Sequence, residues 1–277
     1  MDKYFCDLQR FGHGVFTEEQ LQDKCDVVRR RMQARPVVRD PEVSVVVPAH
    51  RERSYILATL KSLAQQTNAA CEFVIVSNGE PEGNQTQRIC MAAGFNVINE
   101  QRKGIALARD IGLRAARGRV VVSTDADTIH HPELLQVVDD YFRFSGCEGA
   151  TGPVSLLGLS VRRRIYAALV AVYKNRFERN SRSIPGHNSY YLRDRALAVG
   201  GYDTSLVCRE DTEIFERLYP HGGEHFIHDE RARAYTSARR FNATPVMDSI
   251  ATALYKRGVL RNTAFSSERQ YALEDVR

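Results

Sequence analysis

Short apolar runs alternate with amphipathic segments between Val43 and Ser123 of this 277-residue chain. Four such runs begin at Val43 (VSVVV), Phe73 (FVIVS), Phe95 (FNVIN) and Val120 (VVVS). Continuous apolar runs of this length, bounded by polar turns, are typical of strands that are buried on both faces. Because segments with helical spacing lie between them, the pattern predicts βαβ units and a largely parallel sheet.

Three helices are predicted between these strands. The first follows Ser54 as its N-cap and carries leucines at every third position, the second lies around Arg88 to Ala93, and the third covers Gly104 to Ala116. Ligands of parallel sheets bind beyond the carboxyl ends of the strands. That rule selects three loops as candidate binding segments, namely Pro48–Glu52, Asn78–Gly83 and Asp125–Thr128.

The two ends of the chain lack this alternation. Thr17 and Gln20 have the spacing of a capping box, which predicts a helix that ends near Arg35. Residues 242–277 are polar, with one helical stretch around residues 247–255. We therefore predict a helical N-terminal extension over residues 1–40, one α/β domain over residues 41–241 and a helical C-terminal tail over residues 242–277.

Composition narrows the class of protein. With 43% hydrophobic and 26% charged residues, the chain is globular rather than disordered. Its longest apolar run, Ile165–Tyr173, is too short to cross a bilayer, which takes about 20 residues in a helix. No secretion signal begins the chain, so we expect a cytoplasmic protein with reduced cysteines. A helix predicted over Val161–Arg179 has arginines at both ends, which leaves open a peripheral contact with the inner face of a membrane.

Two aspartates follow the strand that ends at Ser123. Asp125 and Asp127 stand two residues apart, so in an extended segment both carboxylates point to the same side. Carboxylate and phosphate oxygens are preferred ligands of Mg²⁺ and Mn²⁺, which makes the pair a candidate cation site. An aspartate-rich turn before the next helix explains the same residues, and this alternative stays open.

A second acidic pair, Glu210 and Asp211, precedes an apolar helical pattern. Acidic side chains in a first helical turn are stabilised by the helix dipole, so a structural role alone explains the pair. Nearby residues add features that suit phosphate binding. These are the glycine turns before the pair, at Gly186 and at Gly200 with Gly201, and the arginines of TSARR after it. Neither a GxGxxG nor a P-loop motif occurs in the chain.

In order and spacing, five segments resemble glycosyltransferase family 2: VSVVVPAHRE, FVIVSNGEPEG, RKGIALARDIGLRAARGRVVVSTDADT, GHNSYYLRDRALAVGGYD and REDTEIFERL. The resemblance covers Val43 to about Phe241. It implies the GT-A fold, which is α/β and Rossmann-like, with a mostly parallel central sheet flanked by helices in a single catalytic domain. It also implies a metal-dependent, inverting transferase that moves a sugar from a nucleotide-diphosphate sugar, with UDP-sugars favoured, to an acceptor hydroxyl.

The same resemblance implies roles for individual residues. Residues near the nucleotide would be Pro48, Ala49, His50, Glu52, Asn78, Lys103, Arg109 and Asp125. Asp127 would hold a divalent cation, Mn²⁺ or Mg²⁺, and Asp211 would be the general base. Residues near the diphosphate or the acceptor would be Glu210, His187, Asn188, Arg239 and Arg240. Asn78 stands where family members usually have aspartate, and its amide both accepts and donates hydrogen bonds.

The segment after the acidic helix lacks the QxxRW motif of processive synthases, so the resemblance implies non-processive transfer. A phosphatase of the haloacid dehalogenase type is one alternative, because it also begins with DxD after an apolar strand. The threonine of that phosphatase motif would fall at position 129, where this chain has Ile129. A non-catalytic nucleotide or nucleic-acid binder is the other alternative, consistent with a net charge of +5. The acceptor and the oligomeric state stay open, and a small molecule, lipid-linked sugar, protein or nucleic acid all fit as acceptor.

Overall fold

The computed structural model describes residues 3–12, 14–158, 186–221, 225–239 and 242. The chain divides into two compact units, one made of Met1–Ser155 with Arg182–Thr236 and a smaller one made of Leu156–Ser181 with Ser237–Arg277. Three sequence predictions lie outside the described residues: the helix over Val161–Arg179, the helical stretch of the tail and the role of Arg240.

The described residues form ten strands and eight α-helices. The strands are β1 Val43–Ala49, β2 Cys71–Asn78, β3 Val97–Glu100, β4 Val120–Ser123, β5 Thr128–His130, β6 Gly149–Thr151, β7 Val154–Leu157, β8 Ser189–Leu192, β9 His225–Phe226 and β10 Ala234–Ser237. The helices are α1 Lys3–Gly12, α2 Glu18–Gln33, α3 Ile56–Ala64, α4 Gln85–Ala92, α5 Ile105–Ala115, α6 Leu134–Phe144, α7 Arg193–Ala198 and α8 Glu210–Leu218.

Seven strands form the central sheet, in the order β3-β2-β1-β4-β8-β6-β9. Strand β1 pairs in parallel with β2 and β4, and β3 extends the parallel arrangement beyond β2. Strand β8 is antiparallel to both of its neighbours, β4 and β6, whereas β9 pairs in parallel with β6. The prediction of a mostly parallel central sheet flanked by helices is therefore confirmed.

The core lies on both faces of this sheet. All seven residues of β1 are buried, as expected for a continuous apolar run in the middle of a parallel sheet. Helix α3 buries eight of its nine residues, and only Lys61 reaches the surface. Within the described part of the chain, no helix is both long and apolar enough to span a membrane.

The start of α3 differs from the prediction. Ser54 lies inside a short 3₁₀ turn, Arg53–Tyr55, and the N-cap position falls on Tyr55 instead. An N-cap side chain needs a non-helical backbone to reach the first amides, which a residue within the turn does not have. The hydroxyl of Ser54 donates a hydrogen bond to the Gly14 carbonyl instead, at 3.1 Å.

The N-terminal helices pack within the larger unit. Thr17 and Gln20 form the predicted capping box at the start of α2. Phe5 of α1 is buried and stacks on Tyr235 of β10, with ring centroids 3.8 Å apart. Cys25 of α2 belongs to the main hydrophobic cluster. The proposed boundary at residue 40 stays a prediction, although these helices contribute to the same core as the sheet.

Candidate functional site

The carboxyl ends of three neighbouring strands meet at one edge of the sheet. Ala49, the last residue of β1, lies beside Ser77 of β2, and Val46 of β1 lies beside Ser123 at the end of β4. The loops that follow these strands therefore start side by side. This is the position at which parallel α/β sheets bind ligands, and it contains all three loops selected from the sequence.

Hydrogen bonds tie the first two loops together. Nδ1 of the His50 ring contacts the backbone carbonyl of Asn78 at 2.7 Å. Because a carbonyl only accepts hydrogen bonds, Nδ1 carries the proton. The backbone N–H of Arg51 donates to the Glu80 carboxylate at 2.9 Å, and that of Glu52 donates to Thr86 Oγ1 at 3.1 Å. The His50 Nε2 atom is buried and finds no hydrogen-bond partner among the described residues.

The side-chain amide of Asn78 has a fixed orientation. Its Nδ2 donates to the Gly104 carbonyl at 3.2 Å, and the opposite orientation would set two oxygens against each other. The amide oxygen accepts no hydrogen bond from any described residue. Lys103, just before Gly104, is exposed. Gly79 has a left-handed φ of +69°, which lets the loop after β2 approach the Lys103 backbone closely. A Cβ on Gly79 would stand 3.0 Å from the Lys103 Cβ.

Arg109 of α5 joins the aspartate loop to the acidic helix. Its guanidinium contacts Asp125 at 2.7 Å and Glu210 at 3.2 Å, and it also donates to the Ser123 hydroxyl. The side chain is only 2% exposed. Burial disfavours its charge, but the neighbouring acidic groups, Asp125 and Glu210 foremost, together outweigh that effect and raise the pKa of Arg109. The guanidinium thus lies behind Asp125 rather than in open solvent.

The two carboxylates of the acidic pair have different surroundings. Glu210 is buried, and burial raises its pKa although the Arg109 charge opposes the change. Asp211 is half-buried and accepts a hydrogen bond from the Thr212 backbone through Oδ1, at 2.8 Å. Its Oδ2 accepts no hydrogen bond from the described residues and lies against Gly186, where an added Cβ would stand 2.7 Å away.

A buried polar group supports the aspartate loop from behind. The Thr124 hydroxyl donates to the His187 carbonyl at 3.3 Å, so it accepts from His130 Nε2 at 2.7 Å. His130 is therefore the Nε2–H tautomer, and its buried Nδ1 has no hydrogen-bond partner among the described residues. Burial lowers the pKa of His130 to about 3. The His187 ring lies nearer the surface, with Nδ1 4.0 Å from the Asp125 carboxylate.

His130 makes the stability of the fold sensitive to acid. The pKa of a histidine is near 6.5 when the chain is unfolded and about 3 here, so stability is fully present above about pH 6.5 and declines as the pH falls toward 3. In His130→Gln the amide keeps the donor to Thr124 but cannot be protonated. We expect wild type to lose about 2 kcal/mol more than this variant between about pH 7.5 and pH 5, in urea unfolding curves. Equal losses would contradict a buried neutral His130.

The donor set of the aspartate loop fits a hard divalent cation. Asp127 is half-buried, and its carboxylate accepts from the Thr236 hydroxyl at 3.4 Å. Across the described ranges, no three His, Cys, Asp or Glu side chains converge on one point. The described residues therefore offer one or two carboxylates rather than a closed cage. Mg²⁺ and Mn²⁺ commonly bind in this way, completing their coordination with waters and substrate phosphates.

The described contacts of this group do not include three other predicted residues. Asn188 is fully buried, and its amide donates to the carbonyls of Pro153 at 2.8 Å and Ala232 at 2.9 Å. Arg239 belongs to the smaller unit, where its backbone N–H contacts Ser237. Arg240 lies outside the described residues. In contrast, the sequence does not predict the roles of Ser123, Thr124 and His130. Only the fold brings Ser123 against Arg109, Thr124 against the His187 carbonyl and His130 against Thr124.

The sheet, the loops at its edge and the acidic helix form the GT-A fold. The profile of glycosyl transferase family 2 matches residues 44–198, more than half of the chain, and the chain belongs to this family. No comparison supports the phosphatase or the non-catalytic binder.

Two curated relatives illustrate the similarity in sequence. Glucosyl-dolichyl phosphate glucuronosyltransferase of Haloferax volcanii is 26% identical over 212 residues, which cover 69% of this chain and 68% of that protein. An uncharacterized glycosyltransferase of Haemophilus influenzae is 29% identical over 199 residues, which cover 64% of this chain and 61% of the relative. The chain thus spans about two thirds of the length of the first relative and somewhat less of the second.

Solved structures share the fold at low sequence identity. TarS of S. aureus in complex with UDP has a TM-score of 0.56 at 19% identity, covering 71% of this chain and 60% of TarS. The mannosyltransferase PcManGT of Pyrobaculum calidifontis, in complex with GDP-Man and Mn²⁺, has a TM-score of 0.53 at 18% identity, covering 85% of this chain and 76% of that protein. At these identities the likeness establishes the fold.

Proposed function

We propose that this protein is a metal-dependent, inverting and non-processive glycosyltransferase that uses a UDP-sugar as donor and a hydroxyl group as acceptor. The observation that carries the proposal is the Asp125–Arg109–Glu210 bridge, because it brings the aspartate loop beside the helix that bears Asp211. A cation site for a diphosphate and a carboxylate able to accept a proton then border the same space.

The orientation of Asn78 supports the choice of nucleotide. Its amide oxygen is an acceptor directed away from Gly104, and uracil offers an N–H donor at the corresponding edge. Cytosine has an unprotonated nitrogen there, which would face the amide oxygen as a second acceptor. Thymine and guanine share the N–H, so the preference for uracil rests further on the TarS structures, which contain UDP and UDP-GlcNAc.

The proposed reaction is a single displacement at the anomeric carbon. The acceptor oxygen forms the new bond to that carbon while the bond to the diphosphate oxygen breaks, and the electron pair leaves with the diphosphate. Asp211 takes the proton of the acceptor hydroxyl through Oδ2. Asp127 would hold the divalent cation, which neutralises charge on the departing diphosphate when bound. Attack opposite the leaving group inverts the anomeric centre.

A thermal-shift panel tests this function. UDP, GDP, dTDP and CMP are each added with and without Mn²⁺, because a ligand that binds only the folded state raises its stability. We expect UDP with Mn²⁺ to raise the melting temperature by several °C, at about 100 times its Kd, and CMP to have the smallest effect. The matching UDP-sugars are then assayed for release of UDP. Equal shifts with and without Mn²⁺ would refute metal dependence, and no shift with any nucleotide would refute donor binding.

Gly186 offers a direct test of the site geometry. A methyl group at this position would stand 2.7 Å from Asp211 Oδ2 and 2.9 Å from Arg109 Nη2. Since displacements of about 1 Å can cost 10²-fold in rate, we expect Gly186→Ala to lower sugar transfer by about that factor. Initial rates of UDP release measure the effect. Gly146→Ala is the control for backbone strain without a clash, because its φ of +66° disfavours a side chain but its Cβ would meet nothing within 4 Å. An unchanged rate in Gly186→Ala would remove Asp211 from the position described.

A further inference from the structure

Among the described residues, Arg109 is the most completely buried charged side chain at this edge of the sheet. Three of its nitrogens reach three different elements of the fold. Nη2 contacts Asp125 in the aspartate loop, Nε contacts Glu210 at the start of α8, and Nη1 donates to Ser123 at the end of β4. The two carboxylates lie 85 positions apart in the sequence, from 125 to 210. Arg109 is their shared partner in the fold.

A guanidinium is the side chain that this arrangement requires. It presents five N–H donors in a rigid plane, so one group can hold two carboxylates at fixed angles. A lysine ammonium is a compact point charge on a flexible stem and reaches one of the two carboxylates well. Because Arg109 and Glu210 are 2% and 5% exposed, water cannot substitute for a lost partner. A change at one carboxylate is therefore transmitted to the guanidinium.

The bridge also lies close to the proposed base, Asp211. The Gly186 backbone lies against both Arg109 Nη2 and Asp211 Oδ2, since a Cβ there would collide with each. Glu210 precedes Asp211 directly in α8, so its contact with Arg109 fixes the first turn of that helix. Two routes, one through Glu210 and one through Gly186, thus connect Arg109 to Asp211.

We propose that Arg109 is a positioning residue that couples the aspartate loop to the first turn of α8, so that a nucleotide bound with its cation at the loop orders Asp211 for proton transfer. This inference rests on the proposed function, because the donor is what would occupy the loop. It assigns Arg109 a role behind the site rather than a direct contact with the nucleotide.

Hydrogen–deuterium exchange tests the coupling. Wild type, Arg109→Lys and Arg114→Lys are compared with and without saturating UDP and Mn²⁺, in peptides that cover residues 120–128 and 209–218. Arg114→Lys is the matched control, because Arg114 lies on the same helix but pairs with Asp110 and the Gly200 carbonyl. In wild type and in the control we expect the ligands to slow exchange in both peptides, by about 5-fold or more in α8.

In Arg109→Lys we expect UDP and Mn²⁺ to slow exchange in the loop peptide only. Exchange in the α8 peptide should stay at the rate of the unliganded protein. A purely structural Arg109 would change exchange in the unliganded protein but leave the ligand-dependent ratio in α8 as in wild type, and that result would overturn the coupling. If Arg109→Lys does not fold, Glu210→Gln serves instead, since it keeps the Arg109–Asp125 pair and weakens the contact with α8. A full wild-type response in Glu210→Gln would also overturn the inference. No slowing in the loop of wild type would refute the proposed function itself.

Discussion

We expect replacement of Asp211 by asparagine to lower sugar transfer by about 10²- to 10⁴-fold, the usual contribution of a positioned general base, and to leave binding of UDP with Mn²⁺ unchanged. The asparagine keeps the size of the side chain and can still accept from the Thr212 backbone, but its amide cannot take a proton at neutral pH. Initial rates of transfer and calorimetric titration with UDP separate the two effects. The rates require a saturating UDP-sugar and Mn²⁺.

The control for this substitution is Asp194→Asn on α7. Asp194 is 90% exposed and pairs only weakly with its neighbour Arg193, so both transfer and binding are expected at the level of wild type. Full transfer activity in Asp211→Asn would exclude Asp211 as the base. Loss of UDP binding together with activity would instead indicate that the variant disturbs the donor site.

The surroundings of the acidic pair favour Asp211 over Glu210 as the base. A base needs an oxygen that can reach the acceptor hydroxyl. Glu210 is 5% exposed and its carboxylate is held by Arg109, whereas Asp211 Oδ2 accepts no hydrogen bond from the described residues.

The first half of the sheet could be predicted because its strands carry a strong local signal. Strands β1, β2 and β4 are continuous apolar runs, and β1 is buried throughout. Strands β6 and β9 have three and two residues, too few to show a period, and their place in the sheet depends on pairing with distant segments. The antiparallel position of β8 between β4 and β6 is likewise a tertiary property.

The candidate site was predictable as a set of loops but not as a set of contacts. The topology of a parallel sheet brings Asn78 and Asp125 to one edge, which the sequence pattern suffices to anticipate. Arg109 occurs in an amphipathic helix, and nothing local indicates that its partner Glu210 lies 101 positions away. The direction of the Asn78 amide depends on the Gly104 carbonyl, a contact across 26 positions. Such long-range partners decide how a side chain can act.

We expect replacement of Asp127 by asparagine to weaken UDP binding in the presence of Mn²⁺ by about 10²-fold or more. The neutral amide is a poor ligand for a hard cation, and the proposed cation would contribute several kcal/mol at the diphosphate. Binding of UDP without metal is expected to stay as in wild type, since the base-binding loops around Asn78 are unchanged. Calorimetric titrations with and without Mn²⁺ measure both quantities.

The matched control is Asp140→Asn, an exposed aspartate on α6 that accepts a hydrogen bond from Gln136. Asp125 is less informative than Asp127 because its carboxylate holds the buried Arg109, so its replacement leaves that cation short of a partner and lowers stability as well as binding. Asp127 accepts from the Thr236 hydroxyl at 3.4 Å, and the oxygen of an asparagine amide can still accept this hydrogen bond. Undiminished Mn²⁺-dependent binding in Asp127→Asn would therefore exclude Asp127 as a ligand of the cation without ambiguity from unfolding.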